Sequence, residues 1–155
     1  MANNLLPILH EHKEDLKIFY AFTELELDEI APSLEIVRYP GGSVIFKEGD
    51  AGDFLGFIVS GKIEVRKQTE FKARQVVLAV MTKGSFVGEL NFLDEQPRSA
   101  TVIATVDSEL LILKREAFDS YAERHPHAAI KILKGLGRVL SIRLRRSAER
   151  FAEIF

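Results

Sequence analysis

The stretch Phe86-Val87-Gly88-Glu89-Leu90-Asn91-Phe92-Leu93-Asp94-Glu95-Gln96-Pro97-Arg98-Ser99-Ala100-Thr101 decides how this chain is read. Gly84 and Gly88 bracket a tight approach of the backbone, and residues 89–93 have room for little more than one helical turn. The loop 94–97 then leads into a strand expected to begin at Arg98 or Ser99. A short helix opening just after a glycine leaves backbone N–H groups free, and these favour an anion. Arg98 supplies a planar fork matched to phosphate oxygens, and Ser99 adds a hydroxyl donor. Glu89 can accept from a sugar hydroxyl. The set holds what a small sugar-phosphate needs. Taken singly, each residue has a plainer reading: Arg98 as a solvated loop side chain, Glu89 as a surface or capping carboxylate.

Working outward, eight of the ten glycines lie between Gly41 and Gly88. Such a density of turn formers between apolar runs predicts short strands joined by tight turns. The runs 43–47, 55–60, 62–67, 76–81, 99–105 and 109–114 are β-branched or apolar. Turn signals separate them at Pro40-Gly41-Gly42, Glu48-Gly49-Asp50, Ala51-Gly52-Asp53, Ser60-Gly61 and Thr82-Lys83-Gly84. This pattern points to a sandwich or small barrel rather than a parallel sheet.

The flanks are helical. Residues 8–35 set Leu9, Leu16, Phe19, Phe22, Leu25, Leu27, Ile30 and Leu34 among acidic side chains. Thr23 with Glu26 has the form of a capping box, so a helix is expected to start there and to end near Pro32. After Arg115 a helix over 116–124 precedes a break at His125-Pro126, and a long helix runs from about His127 to the end. Two apolar stripes mark that last helix. Leu133, Gly137, Leu140, Leu144, Ser147 and Phe151 follow the alternating spacing of a coiled-coil seam, while Ile132, Leu136 and Val139 form a neighbouring stripe. One stripe would cover the barrel and the other would meet a second copy, giving a homodimer through the C-terminal helix. A single broad core face is the alternative.

Length and composition set the outer bounds. The chain has 155 residues, 46% hydrophobic and 28% charged, close to an ordinary soluble domain able to bury roughly 70% of its unfolded surface. It has no Cys, which excludes disulfide scaffolds, thiolate zinc sites and cysteine nucleophiles. No apolar run is long enough to span a bilayer and the N-terminus lacks the look of a signal peptide, so a cytoplasmic location without membrane contact is expected. The net charge of −2 is unevenly placed: residues 131–155 carry 7 basic and 2 acidic side chains, leaving 14 basic and 21 acidic in residues 1–130.

The segment 86–101 resembles the phosphate-binding cassette of the cyclic-nucleotide-binding domains found in catabolite activator proteins, cyclic-nucleotide-dependent kinases and gated channels. That cassette reads F-x-G-E-(L/A), a short spacer, then (P)-R-(S/T/A)-A. The likeness extends to residues 39–50, which are similar to the family's opening strands, and to 57–65, which are similar to its central hairpin. In all it covers about residues 18–146. The resemblance implies a mainly β fold with flanking helices: an eight-stranded β-roll, or jelly roll, between N-terminal helices and a long C-terminal helix. It divides the chain into an N-terminal helical segment 1–35, a binding core 36–115 and C-terminal helices 116–155. It also implies that Val87, Gly88, Glu89, Leu90, Arg98, Ser99 and Ala100 hold a cyclic nucleotide. Gly88 and Ala100 would offer N–H groups, Glu89 would hold the ribose 2′-hydroxyl, and Arg98 and Ser99 would bind the exocyclic phosphate oxygens. Ser99, where a threonine tends to accompany cGMP, leans the ligand towards cAMP.

The resemblance thins at the base. Ungapped alignment from Pro126 puts Arg143 and Leu144 where catabolite activators carry a Thr-Ser pair. Arg143 can stack on or bond the base, with Leu140 or Leu144 capping it; equally, Arg143 can be simply solvated. Arg138, Arg143, Arg145, Arg146 and Arg150 could suggest nucleic acid, but they share a helix with apolar stripes and suit its C-terminal dipole. Direct DNA contact is not expected, since the helix-turn-helix of the activators does not follow Phe155. The chain is then a stand-alone sensor or a fragment of a longer regulator, with an effector the sequence does not name. A cupin-like metalloenzyme or a haem sensor would need ligating histidines, yet His10, His12, His125 and His127 all lie outside the strand zone. No enzyme activity, metal or cofactor is expected. A degenerate member acting only as a protein-interaction module remains as a competing class, against which the intact cassette speaks.

Overall fold

The computed structural model describes residues 5–71 and 74–154. Its elements are α1 (Leu6–His12), α2 (Glu24–Ile30), β1 (Leu34–Tyr39), β2 (Val44–Phe46), β3 (Phe54–Ser60), β4 (Lys62–Gln68), β5 (Gln75–Thr82), β6 (Phe86–Val87), α3 (Glu89–Asp94), β7 (Thr101–Ala104), β8 (Ser108–Lys114), α4 (Arg115–Arg124) and α5 (Pro126–Ile154). Short 3₁₀ turns at Lys17–Phe19 and Ala31–Ser33 complete the N-terminal part. The eight strands form two antiparallel four-stranded sheets, ordered β1-β8-β3-β6 and β2-β7-β4-β5. This is the jelly-roll architecture that the sequence led us to expect.

Side-chain alternation places the core. In β3, Leu55, Phe57 and Val59 face the helices and Ile58 faces the space between the sheets; β8 divides Leu111 and Leu113 from Leu110 and Ile112 in the same way. These two central strands are buried on both faces, which is why they are continuous apolar runs. The first apolar cluster joins Phe19, Phe22 and Phe57 to Tyr121, Ile132 and Leu136, so the helices are seated on one sheet. The second, around Ile63, Val87 and Val102, fills the roll.

Several local expectations hold in detail. The Glu26 amide donates to Thr23 Oγ1 at 3.2 Å and the Thr23 amide to Glu26 Oε1 at 2.9 Å, a reciprocal capping box. α2 stops at Ile30, two residues before Pro32. α5 keeps its two stripes distinct: Ile132 and Leu136 are buried, whereas Leu133, Leu144 and Phe151 are exposed. Lys131 Nζ donates to Glu26 Oε1 at 2.6 Å and to the Ala21 carbonyl at 3.0 Å, fastening the first half of α5 to the N-terminal helices. Residues 144–154 are exposed throughout.

Other details differ. β1 and β6 were not expected as strands. β1 presents apolar side chains on both faces, Ile36 to the helical cluster and Val37 and Tyr39 to the roll, so its period is blurred. β6 has only two residues. The strand expected to begin at Arg98 or Ser99 begins at Thr101. Arg98 pairs its backbone with the 49–50 turn instead: its N–H donates to the Asp50 carbonyl and its carbonyl accepts from Gly49, both at 2.8 Å.

Candidate ligand-binding site

The turn that enters α3 is built on Gly88, whose φ of 83° lies in the left-handed region. A side chain there would be strained, and a Cβ would come within 2.6 Å of Arg98 Nη1. α3 is held short by Glu95 at its end, also left-handed at φ 60°. The buried Asn91 side-chain amide donates to the Gln96 carbonyl, and the Gln96 amide donates to Asp94 Oδ1 at 3.0 Å. These bonds fold the loop back so that Arg98 returns beneath Gly88.

Arg98 is only 2% exposed. Its Nη1 donates to the Gly88 carbonyl at 3.1 Å and its Nη2 to the Phe54 carbonyl at 3.0 Å. The guanidinium lies 4.0 Å from the Phe46 ring centre and 4.6 Å from that of Phe54, a cation between two aromatic faces. Gly52 leaves the room it needs, since a Cβ there would overlap the guanidinium. Nε is buried with no hydrogen-bond partner, and no carboxylate is paired with the group among the described residues. Burial pushes its pKa down, and the nearby charges of Asp53, Glu89 and Asp50 act in the opposite sense. A buried cation with a spare donor is costly in isolation and suits an incoming anion.

A cavity of about 240 Å³ opens above this arginine. Val87, Gly88, Glu89, Leu90, Arg98, Ser99 and Ala100 all line it. Phe46, Val65, Lys67, Leu78, Met81, Asn91 and Val102 complete the wall and give it a largely apolar side. Sequence reasoning did not put these forward as lining residues, since most of them lie on strands far from the cassette in sequence and only the fold brings them to it. Lys67 Nζ bridges Glu48 Oε1 and the Ser99 carbonyl, both at 2.7 Å, so it braces the cassette.

The C-terminal helix reaches the edge of this site through Arg143, which does not itself line the cavity. Arg143 Nη1 donates to Glu89 Oε1 at 2.9 Å, its Nη2 lies 3.8 Å from Met81 Sδ, and its guanidinium sits 4.8 Å from the Phe86 ring centre. Arg143 is therefore engaged with the cassette rather than solvated. Leu140 is half-buried and Leu144 is 72% exposed, and neither lines the cavity. Burial raises the pKa of Glu89, against the lowering effects of its own backbone N–H and of Arg143 and Arg98. The arrangement can hold an anion at Arg98 and a hydroxyl at Glu89, with an apolar group against Val65, Leu78 and Met81.

The chain belongs to the cyclic nucleotide-binding domain family, whose sequence profile matches residues 36–125. It is 33% identical over 123 residues to the Cyclic AMP receptor protein of Thermus thermophilus, covering 79% of this chain and 56% of that protein. It is 33% identical over 106 residues to the cAMP-dependent protein kinase regulatory subunit of Aspergillus fumigatus, covering 68% of this chain and 24% of the subunit. The crystal structure of a cyclic nucleotide-binding domain from Methylobacillus flagellatus superposes with a TM-score of 0.85 at 25% identity, covering 99% of this chain and 86% of that one. The chain thus spans little more than half the bacterial receptor and about a quarter of the kinase subunit. Among the described residues no helix is long and apolar enough to cross a membrane.

Proposed function

We propose that this chain is a non-enzymatic, cytoplasmic cyclic-nucleotide sensor whose ligand is cAMP. The observation that carries the reading is the buried Arg98 guanidinium, unpaired at Nε, in a cavity lined by Gly88, Glu89, Ser99 and Ala100. Arg98 and Ser99 take the cyclic phosphate, Gly88 and Ala100 add N–H groups, and Glu89 takes the ribose hydroxyl. The base lies against the apolar wall. The roll from β1 to β8 forms the binding core, α1 and α2 a helical support and α4 and α5 the output segment.

Signalling follows from the Arg143–Glu89 pair. A ribose hydroxyl at Glu89 competes with Arg143, so binding favours conformers in which α5 has shifted over the base. The exposed seam Leu133, Gly137, Leu140, Leu144 and Phe151 passes that shift to a second copy of the chain or to an effector protein. A Cβ at Gly137 would meet no neighbouring atom within 4 Å, and its absence allows a partner helix to approach closely. A second reading, the sensor portion of a longer regulator, is favoured by the 56% coverage of the bacterial receptor. Isothermal titration against cAMP, cGMP and linear AMP tests the reading. Saturable binding with cAMP tightest supports it; equal binding of linear AMP, or no binding by any of them, overturns it.

A further inference from the structure

On the far side of Arg143 lies a second cavity that the cyclic-nucleotide reading does not use. It has a volume of about 420 Å³ and is walled by α5, the segment 15–18 and the turn 83–86. Its apolar lining comes from Ile18, Phe86, Val139 and Ile142. Five cations line it, Lys17, Lys83, Arg138, Arg143 and Arg146, against one carboxylate, Asp15. Asp15 is taken by Lys83 at 2.9 Å and lies 3.7 Å from His12 Nδ1. Arg143 is taken by Glu89 at 2.9 Å. Lys17, Arg138 and Arg146 pair with no carboxylate among the described residues.

We propose that this groove is a second anion site, for a small organic phosphate carrying an aromatic or other apolar group. The chemistry is split as such a ligand is split: planar guanidinium forks for phosphate oxygens, and an apolar floor with a Phe86 ring for the remainder. Size favours a small molecule over a docked helix. The volume lies in the roughly 300–1,000 Å³ range of ligand pockets.

The groove is joined to the nucleotide cavity by Arg143, which stacks on Phe86 on one side and bonds Glu89 on the other. A phosphate in the groove draws that guanidinium away from Glu89. On the reading that Glu89 serves the ribose, the second ligand then tightens cyclic-nucleotide binding, and reciprocally, by about three- to tenfold.

The test uses 1-naphthyl phosphate as the probe, titrated by fluorescence into the full chain and into an Arg138→Gln/Arg146→Gln variant. Both substituted side chains are exposed, and circular dichroism checks the fold. The proposal expects saturable binding weakened at least about tenfold in the variant and not displaced by saturating cAMP. This arm stands whether or not cAMP binds, so failure of the nucleotide reading is seen separately. Equal binding by the two proteins overturns the proposal, as does displacement by cAMP. Binding of a glutamate-rich peptide to the wild type, with none of naphthyl phosphate, overturns it in favour of a protein-docking surface.

Discussion

Replacing Arg98 by leucine is the most informative single change. Arg98 gives two hydrogen bonds within the protein, to the Gly88 and Phe54 carbonyls, and its Nε has no protein partner. A cyclic phosphate therefore gains at least one charge-assisted bond there, worth about 1.5–3 kcal/mol. Losing it weakens binding by about tenfold to about 150-fold, at 1.4 kcal/mol per factor of ten. The unliganded fold is affected much less. Leucine removes a buried cation that no carboxylate partners, and the Gly88 carbonyl keeps its bond from the Phe92 amide at 3.2 Å. Thermal shift and titration calorimetry read both quantities. At 100 times its dissociation constant a ligand adds about 2.7 kcal/mol, which is roughly 5–11 °C for a domain of this size. At the same cAMP concentration a tenfold weaker variant retains about 1.4 kcal/mol of that. An Arg98→Leu protein that folds and binds cAMP within threefold of wild type would refute the role given to this side chain.

Other perturbations separate the parts. Arg143→Ala frees Glu89 from a mostly buried ion pair worth about 1 kcal/mol, so cAMP affinity by calorimetry should rise about threefold to tenfold; a fall instead would put Arg143 on the base. Glu89→Gln should abolish most nucleotide binding yet raise the melting midpoint of the unliganded protein at pH 7. Burial holds the folded pKa of Glu89 above its ordinary value, so folding disfavours its charged form relative to the unfolded chain. The wild type therefore loses stability relative to the variant as pH rises through that folded pKa, and melting curves at about pH 3, well below the ordinary glutamate pKa of about 4.3, should show little of that gain. Thr23→Ala removes the capping box and should cost about 1 kcal/mol, a midpoint lower by roughly 2–4 °C, without changing the dissociation constant for cAMP.

The sequence disclosed what local chemistry encodes. Thr23 and Glu26 marked a helix start because the two side chains can satisfy each other's amides, and they do so. Gly88 marked the entry to α3 because its φ of 83° excludes most other residues. The cassette was legible because its residues are contiguous, and all seven of those put forward from 86–101 line one cavity. Long-range partners were hidden. That Arg98 lies between Phe46 and Phe54, and that its backbone joins the 49–50 turn instead of a strand, depends on residues some fifty positions away. The resemblance, aligned from Pro126, marked Arg143 as a base contact or a solvated side chain, but its pairing with Glu89 across 54 positions is a tertiary event. β1 was missed because a strand shared between two cores shows no clean alternation.

The central claim is that a cyclic nucleotide fills the cavity over Arg98 and in doing so moves the C-terminal helix. Hydrogen–deuterium exchange with and without saturating cAMP tests both halves at once. The account predicts slowed exchange across residues 86–101 and a changed rate across residues 127–150. Exchange unaltered in both segments would contradict it.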